Sequence, residues 1–325
     1  MIVKPENMTF ENKKFSMILY GSPGVGKTTL ALSAPNPILI DFDRGMSRVK
    51  AMHRKPAIFC NTYDEVLTDL ASPELKEFET IVVDTGGSFV SFLQDYVMRQ
   101  NPAQNKQKNG AISLKGFGAV KTEFIRFTNY VKDTLDKNLI YVFHSQEQSD
   151  KDGNAQQRLM CEGATKNIVW TPCDFGGYVQ MIGNQRVISF TPEQEFFAKG
   201  CHGIQGRRTI PELTAATKND FITAIFSEAK ANIAAETEAF SPVKAKYEAA
   251  MEAAREALES VTDVDSVVKV SEYLKTIEHA LTSKREAAAL LKAKAKTIGL
   301  KYNSDAKKWE PIAEPKAEKA EEASE

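Results

Sequence analysis

One short segment, residues 21–28 with the sequence GSPGVGKT, constrains this chain more than any other. An apolar run at 15–20 precedes it, and a helical pattern at 28–34 follows it. The glycines allow the backbone to curl so that several N–H groups point inward, and a helix beginning there adds the positive end of its dipole. A strand, a loop of this pattern and a helix in succession are typical of a phosphate-binding loop.

The loop predicts which residues contact a nucleotide and what each of them supplies. Lys27 is expected to reach the β- and γ-phosphates, and the Thr28 hydroxyl is expected to coordinate Mg²⁺. ATP and Mg²⁺ are therefore the predicted ligands. The residues predicted to bind the nucleotide are Gly21, Ser22, Pro23, Gly24, Val25, Gly26, Lys27, Thr28 and Thr29.

A phosphate-binding loop also needs an acidic residue at the end of a neighbouring strand, where it holds the Mg²⁺ shell. The apolar run 80–83 is followed by Asp84. An aspartate after an apolar run is common, and by itself it only ends a strand. Together with the loop, the pattern predicts Thr28 and Asp84 as the metal-binding residues.

The first 228 residues alternate between short apolar runs and amphipathic stretches. Short continuous runs separated by helices predict a parallel sheet that is covered on both faces. Closely spaced runs at 175–182, 186–191 and 196–198 predict antiparallel strands that extend this sheet. The other apolar runs are 15–20, 37–40, 80–83 and 139–143, and the helical patterns are 28–34, 65–70, 88–98 and 120–135.

Three segments resemble the nucleotide-binding strands of RecA-type recombinases. Residues 81–85, IVVDT, look like the strand with the Mg²⁺ ligand and lack the Asp-Glu pair typical of AAA+ proteins. Residues 38–43, ILIDFD, are similar to the strand whose acidic residue activates the attacking water, which implies this role for Asp43. Residues 141–146, YVFHSQ, resemble the strand that ends in a γ-phosphate sensor, which implies Gln146 with His144 as its neighbour.

The resemblance covers roughly residues 10–228 and is closest to bacteriophage and prophage nucleotide-binding proteins of single-strand annealing and recombination. It implies an α/β fold with a RecA-like P-loop core, an antiparallel extension and an appended α-helical region. It also implies an ATPase acting in DNA recombination, annealing or repair, with Lys27, Asp43 and Gln146 as catalytic residues. For His144, a strand-end histidine bonded to the backbone is the alternative.

RecA-type proteins bind DNA through two loops, and the resemblance places these loops at residues 100–118 and 147–166. Lysine and arginine side chains there would neutralise backbone phosphates without reading the base sequence. Phe117 is the one aromatic ring placed for stacking on bases. Single-stranded DNA is the implied partner, and two solvated surface loops are the alternative. The cations are Arg99, Lys106, Lys108 and Lys115 for the first loop and Lys151, Arg158 and Lys166 for the second.

A cation late in the ATPase region is a candidate to act across a subunit interface. In related ATPases a lysine or arginine near this place reaches the γ-phosphate of the neighbouring subunit and stabilises transition-state charge. Lys199, Arg207 and Arg208 occupy this place here. The resemblance therefore implies a homo-oligomer with a trans-acting Lys199, and a plain exposed lysine is the alternative.

The last hundred residues differ in composition from those before them. Residues 1–228 are predicted to form the ATPase domain, 229–299 a helical domain, 300–312 a small hairpin and 313–325 a disordered acidic tail. Ser283 and Glu286 match a capping box at the third helix of this region. The helices favour a second hypothesis, a nucleotide-gated adaptor or loader that recruits a single-strand binding, replication or packaging protein.

Composition limits the class of protein without selecting a function. The 42 Lys and Arg residues balance 43 Asp and Glu, which excludes a uniformly basic nucleic-acid binder but not local basic surfaces. No run approaches the roughly 18 apolar residues of a membrane span, and the first residues lack a signal-peptide pattern. Four cysteines do not make a disulfide framework, so we expect a bacterial or phage-infected host cytoplasm and no membrane partner.

Overall fold

The computed structural model describes Val3, Met8, Phe10 and residues 12–150, 152–161, 168–214, 217–304, 306 and 308–312. The chain forms two compact units, one of Phe10–Ala234 and one of Ala235–Glu325 together with Met1–Thr9. The sequence-based boundary at residue 228 falls inside a helix that begins at Phe221. In the first unit this helix buries Ile222, Phe226 and Ile233.

The first unit is built on one mixed sheet. Its strands are β1 (Ser16–Gly21), β2 (Pro37–Asp41), β3 (Ala57–Ile58), β4 (Thr80–Asp84), β5 (Asn138–Ser149), β6 (Ala155–Leu159), β7 (Phe175–Ile182), β8 (Gln185–Ser189) and β9 (Arg207–Thr209). Within the described residues their order is β3-β2-β4-β5-β1-β7-β8-β9, with β6 paired to β5. The pairs from β3 through β7 are parallel, and the pairs β5–β6, β7–β8 and β8–β9 are antiparallel.

Helices cover the sheet and form most of the second unit. Those of the first unit are α1 (Lys27–Ala31), α2 (Tyr63–Leu70), α3 (Gly86–Gln100), α4 (Pro102–Asn105) and α5 (Leu114–Asn129), which a π-helical turn at Tyr130–Thr134 extends. Helix α6 (Phe221–Glu259) begins in the first unit and ends in the second. The second unit continues with α7 (Val264–Thr276), α8 (Ser283–Thr297) and the antiparallel strands β10 (Leu300–Asn303) and β11 (Lys308–Pro311).

Successive side chains of a strand point to opposite faces of the sheet, so the continuous apolar runs of the strands make both faces apolar. Tyr20 and Tyr141 pack on one face among residues of α2, α3 and α5. Leu19 and Val142 pack on the other face among residues of α1 and the first part of α6. The predicted fold class is confirmed in its architecture: an α/β core with a mostly parallel sheet covered on both faces, an antiparallel extension and a helical C-terminal region.

One strand of the predicted antiparallel extension is wrong. Residues 196–198 form only isolated bridges, and β9 supplies the third antiparallel strand instead. Phe196 and Ala198 are buried and Phe197 is exposed. This alternation of buried and exposed residues is typical of a strand, although the segment does not form one. The backbone of Phe196 bonds back to Glu193 across a tight turn, which keeps this segment from pairing as a strand.

The two segments expected to be long DNA-binding loops contain regular structure, so the expectation of two long loops is wrong. Residues 102–105 form α4, and α5 begins at Leu114 because the Ser113 hydroxyl accepts a hydrogen bond from the N–H of Gly116. In the second segment β5 continues to Ser149 and the chain returns through β6. Cross-strand pairing thus satisfies the backbone there, while Lys151 and Lys166 lie outside the described residues.

The second unit has an apolar core of its own, which includes Val267, Leu274 and Leu291. Helix α8 does not use the predicted capping box, because Thr282 is its N-cap residue and the Ser283 hydroxyl accepts a bond from the N–H of Ala280. The predicted acidic tail, 313–325, lies outside the described residues. None of the helices in the described part of the chain combines the length and apolar character that a membrane span needs.

Candidate functional site

The predicted phosphate-binding loop leaves the carboxyl end of β1. Strands β5 and β7 flank β1 in parallel and continue beyond its end, so the loop begins between these two strands. Gly24 and Gly26 have φ angles of +83° and +81°, a left-handed conformation that favours glycine. At Gly21 a Cβ would collide with the backbone carbonyl of Val179, so a side chain does not fit beside β7.

The start of α1 carries backbone donors without acceptors. Gly26 is the N-cap residue and provides no side-chain hydrogen bond. Within the described part of the chain, the N–H groups of Lys27, Thr28 and Thr29 meet no acceptor, as expected for a first helical turn. These donors lie beside two left-handed glycines and form a concave anion site of the kind that binds phosphate oxygens.

The ammonium group of Lys27 lies buried against the loop. Its Nζ donates to the carbonyl oxygens of Gly21 at 3.0 Å and Ser22 at 2.8 Å, and Nδ1 of His144 lies 3.4 Å away. Burial lowers the pKa of Lys27 to about 8, and the charge of Asp84 opposes this shift. A neighbouring phosphate would favour the charged ammonium, so this side chain is suited to bind an anion.

Thr28 and Asp84 come together from two elements at the same edge of the sheet. Thr28 Oγ1 donates to Asp84 Oδ2 at 2.5 Å, and Asp84 is the last residue of β4. Burial raises the pKa of Asp84 to about 6, with contributions from Asp43 and Asp41 and opposition from the Thr28 bond. A hydroxyl and a carboxylate are hard oxygen ligands, so this donor set fits Mg²⁺, whose charge would relieve the repulsion between the carboxylates.

Two aspartates at the end of β2 have different surroundings: Asp41 is its last residue, and Asp43 follows it. Asp41 is buried and its carboxylate accepts hydrogen bonds from the N–H groups of Gly45 and Met46, at 2.7 and 2.9 Å. It therefore fixes the turn after β2. Asp43 instead accepts hydrogen bonds from the hydroxyls of Thr85, at 3.3 Å, and Ser88. These two hydroxyls orient the Asp43 carboxylate, which borders a cavity.

This cavity brings together the three side chains that the resemblance assigns to the γ-phosphate end. It has a volume of about 350 Å³. Gln146 lies on its wall and donates from Nε2 to the carbonyl oxygen of Leu159 at 3.4 Å. Burial and the nearby Lys27 lower the pKa of His144, which favours a neutral imidazole. The lining residues are Asp43, Thr85, Gly87, Ser88, Val90, Ser91, His144, Gln146, Met160 and Cys161.

The cations considered for a role across a subunit interface bond within the chain. Lys199 Nζ donates to the carbonyl oxygen of Cys173 at 2.5 Å. Arg207 pairs with Glu193 at 2.6 Å, and Arg208 pairs with Glu228 at 2.5 Å. The trans-acting role of Lys199 stays a prediction.

Two contacts to the loop region come from residues that the sequence did not indicate. Arg186, on β8, places its Nη1 3.5 Å from the carbonyl oxygen of Val25. Asn219 donates from Nδ2 to the carbonyl oxygen of Thr29 at 2.9 Å. Both partners lie more than 160 residues from the loop, and no local pattern around them signals this contact.

Comparison with known proteins identifies a family for most of the first unit. A family model described as an AAA domain, AAA_24, matches residues 13–202, more than half of the chain. A solved ATPase domain of another protein is similar at 10% identity and a TM-score of 0.38, over 60% of this chain and 80% of that one. Flagellar accessory protein FlaH from Methanocaldococcus jannaschii is similar at 8% identity and a TM-score of 0.29, over 54% and 76% respectively. No curated protein matches the chain.

Proposed function

Because the chain belongs to the AAA domain family of P-loop ATPases, we propose that it is a Mg²⁺-dependent ATPase acting on single-stranded DNA. We propose that it acts in DNA recombination, annealing or repair and that a phage encodes it. The observation that carries the catalytic part is the hydrogen bond between Thr28 and Asp84, 56 residues apart, beside the Lys27 ammonium. A cation for the terminal phosphates and a hydroxyl–carboxylate pair for the metal are what phosphoryl transfer from ATP requires.

Hydrolysis requires that a water oxygen bond to the γ-phosphorus while the bond from that phosphorus to the β-phosphate oxygen breaks. In our proposal Lys27 and the free N–H groups of the loop bind the phosphates. Thr28 and Asp84 hold Mg²⁺, which when bound supplies positive charge to the phosphate oxygens. ADP then leaves with a charge that Lys27 stabilises.

Asp43 is the proposed acceptor of the proton from the attacking water. Its carboxylate is held by the hydroxyls of Thr85 and Ser88 and faces the 350 Å³ cavity, which has room for water. Gln146 and His144 border the same cavity, where they are suited to orient the water or the terminal phosphate by hydrogen bonds.

The DNA part of the proposal rests on the RecA-type resemblance and on charged and aromatic side chains beyond β4 and β5. Lys106, Lys108 and Lys115 are exposed near the end of α3 and the start of α5. The Arg158 guanidinium lies 5.0 Å from the ring centroid of Phe197, which is 53% exposed. An exposed ring beside a cation supports stacking on single-stranded bases, and the lysines support contacts to phosphates.

The test compares ATP hydrolysis with and without single-stranded DNA, and DNA retention at low salt, in the purified chain. We expect Mg²⁺-dependent hydrolysis, stimulation by DNA, and loss of this stimulation in a Phe197→Ala, Arg158→Ala double variant. Arg126→Ala is the matched control, because Arg126 pairs with Glu123 on α5. No hydrolysis contradicts the whole proposal, whereas hydrolysis with neither stimulation nor retention contradicts its DNA part.

A second candidate function is a nucleotide-gated adaptor or loader that recruits a replication, packaging or single-strand binding protein. It is favoured by the separate second unit, whose Tyr273 and Leu281 are about half-exposed and available to a partner. Two results would support this candidate over the first. The chain would hydrolyse ATP slowly at a rate that DNA does not change, and it would capture such a partner through residues 235–312 only when nucleotide is present.

A further inference from the structure

Arg186 is a cation beside the phosphate-binding loop whose hydrogen-bonding capacity is mostly unused. Its Nη1 lies 3.5 Å from the carbonyl oxygen of Val25, and its Nη2 lies 3.5 Å from that of Pro211. Its Nε is buried and meets no acceptor among the described residues. A Cβ on Gly26 would collide with the Arg186 guanidinium, so the side chain lies directly against the loop.

A guanidinium group has five N–H donors, and contacts of 3.5 Å are at the weak limit of hydrogen bonding. Leaving a buried charged donor without an acceptor costs stability. Burial accordingly lowers the pKa of Arg186, a shift that the charge of Glu212 opposes. The planar face of an arginine also stacks on aromatic rings, so an aromatic ligand with oxygen acceptors would compensate this cation best.

A cavity with a volume of about 180 Å³ lies beside Arg186. Its wall is more apolar than polar, and Lys218, Asn219 and Asp220 are the polar residues that line it beside Arg186. The hydrogen bond from Asn219 to the carbonyl of Thr29 joins this lining to α1, the helix that begins in the phosphate-binding loop. The apolar lining includes Leu30, Ile210, Pro211 and Phe221.

The size and composition of the cavity limit its occupant. Pockets for whole small molecules usually measure about 300–1,000 Å³, so this one suits only part of a ligand. An apolar wall, a stacking cation and a few hydrogen-bonding groups suit a flat heteroaromatic ring that carries polar edges. The cavity adjoins the helix whose first N–H groups are free for phosphates, so ring and phosphates can belong to one molecule.

We propose that this cavity receives the base and ribose of the nucleotide, and that the Arg186 guanidinium stacks on the base. The inference rests on the proposed function, because it takes the phosphates of the same nucleotide to lie in the loop at residues 21–28. It adds a site for the nucleoside, formed by β8 and by residues 210–213 and 218–224 of the first unit.

The test fills the cavity from its exposed side. Ala224 lines it and is exposed on α6, so Ala224→Trp introduces a bulky ring without disturbing the core. Ser227→Trp is the matched control, because Ser227 is exposed on the same helix and is not part of the cavity lining. Dissociation constants are measured by calorimetry in Mg²⁺ buffer for ATP and for inorganic tripolyphosphate, which carries no nucleoside.

We expect Ala224→Trp to weaken ATP binding by at least about tenfold, the loss of a stacked and buried base, and to leave tripolyphosphate binding unchanged. Ser227→Trp should bind both ligands like the wild type. Arg186→Leu, checked for folding by its thermal unfolding, should also weaken ATP binding more than tripolyphosphate binding.

Unchanged ATP binding in Ala224→Trp and Arg186→Leu would overturn the nucleoside site while leaving the proposed ATPase function intact. Equal losses for ATP and tripolyphosphate would also overturn it, because the variants would then act on the loop. If the wild-type chain binds neither ligand, the proposed function fails and this inference fails with it.

Discussion

The two units of the chain bury different kinds of side chain. In the first unit Lys27, Asp41 and Asp84 are charged groups buried near the carboxyl ends of the central strands. In the second unit, over the residues described between 235 and 312, no charged side chain is buried, and the buried Ser283 hydroxyl is hydrogen-bonded. Burying charge destabilises a fold unless it is compensated. Asp41 is compensated by the N–H groups of Gly45 and Met46, whereas for Lys27 and Asp84 our proposal supplies a ligand as the compensation. The second unit is stabilised mainly by apolar packing.

The largest expected effect is on the rate of ATP hydrolysis, and it comes from replacing a buried charged group of the first unit. Asp84→Asn removes a negative ligand oxygen for Mg²⁺ and should lower the rate of ATP hydrolysis by about 100- to 1,000-fold, as for other groups that stabilise transition-state charge. Steady-state hydrolysis at saturating ATP and Mg²⁺ measures it. Asp69→Asn, at an exposed aspartate on α2, is the control and should keep the wild-type rate. A rate near wild type in Asp84→Asn would remove Asp84 from the site.

The next largest effect is on the stability of the second unit, and two adjacent leucines of α8 test it. Leu291 is 4% exposed and Leu290 is 37% exposed. Leu291→Ala leaves a cavity in the core and should lower the free energy of unfolding of the second unit by about 2–5 kcal/mol. Leu290→Ala should cost less than about 1 kcal/mol. Urea denaturation followed by circular dichroism measures both, and equal costs would contradict the assigned core.

A smaller effect follows from the pH dependence of the buried carboxylate. The pKa of Asp84 is raised from 3.8 to about 6 on folding, so the folded state binds its proton more tightly than the unfolded state does. This aspartate therefore favours folding at pH values below 3.8, and that contribution is lost as the pH rises through 6. Above pH 6 the buried charge is a cost.

Asp84→Asn should remove this cost. In metal-free buffer at about pH 7.5 we expect the variant to be more stable than the wild type by about 1–2 kcal/mol, with the difference disappearing near about pH 4. Denaturant unfolding at several pH values, with chelator present, measures the difference. A variant less stable than wild type at the higher pH would mean that burial of Asp84 is compensated within the chain and does not reflect a ligand site.

The features that could be predicted from the sequence are those set by neighbouring residues. Strand β2 matches the predicted run 37–40 to within one residue, because a strand buried on both faces needs an unbroken apolar run. The glycine pattern at 21–28 also fixes its own geometry, since Gly24 and Gly26 adopt left-handed conformations that other residues avoid. Asp84 ends β4, as its place after the apolar run 80–83 predicts, whereas Gln146 lies within β5, which continues to Ser149.

The features that could not be predicted depend on contacts between distant residues. Ser88 bonds to Asp43 across 45 residues, and Arg186 approaches Val25 across 161 residues. Only the paired strands and packed helices bring such side chains together. The sequence also could not show which of two possible partners a side chain bonds. At the start of α8 the Ser283 hydroxyl accepts a hydrogen bond from the N–H of Ala280, and Thr282 is the N-cap residue instead.

The central claim is that the loop at residues 21–28 hydrolyses ATP, and Lys27→Ala tests it most directly. The measurement is the rate of phosphate release from ATP in Mg²⁺ buffer by purified wild type, Lys27→Ala and the control Lys76→Ala, which replaces an exposed lysine of the same unit. Our account predicts a loss of at least about 100-fold in Lys27→Ala and a wild-type rate in Lys76→Ala. Hydrolysis by a folded Lys27→Ala variant at the wild-type rate would contradict it.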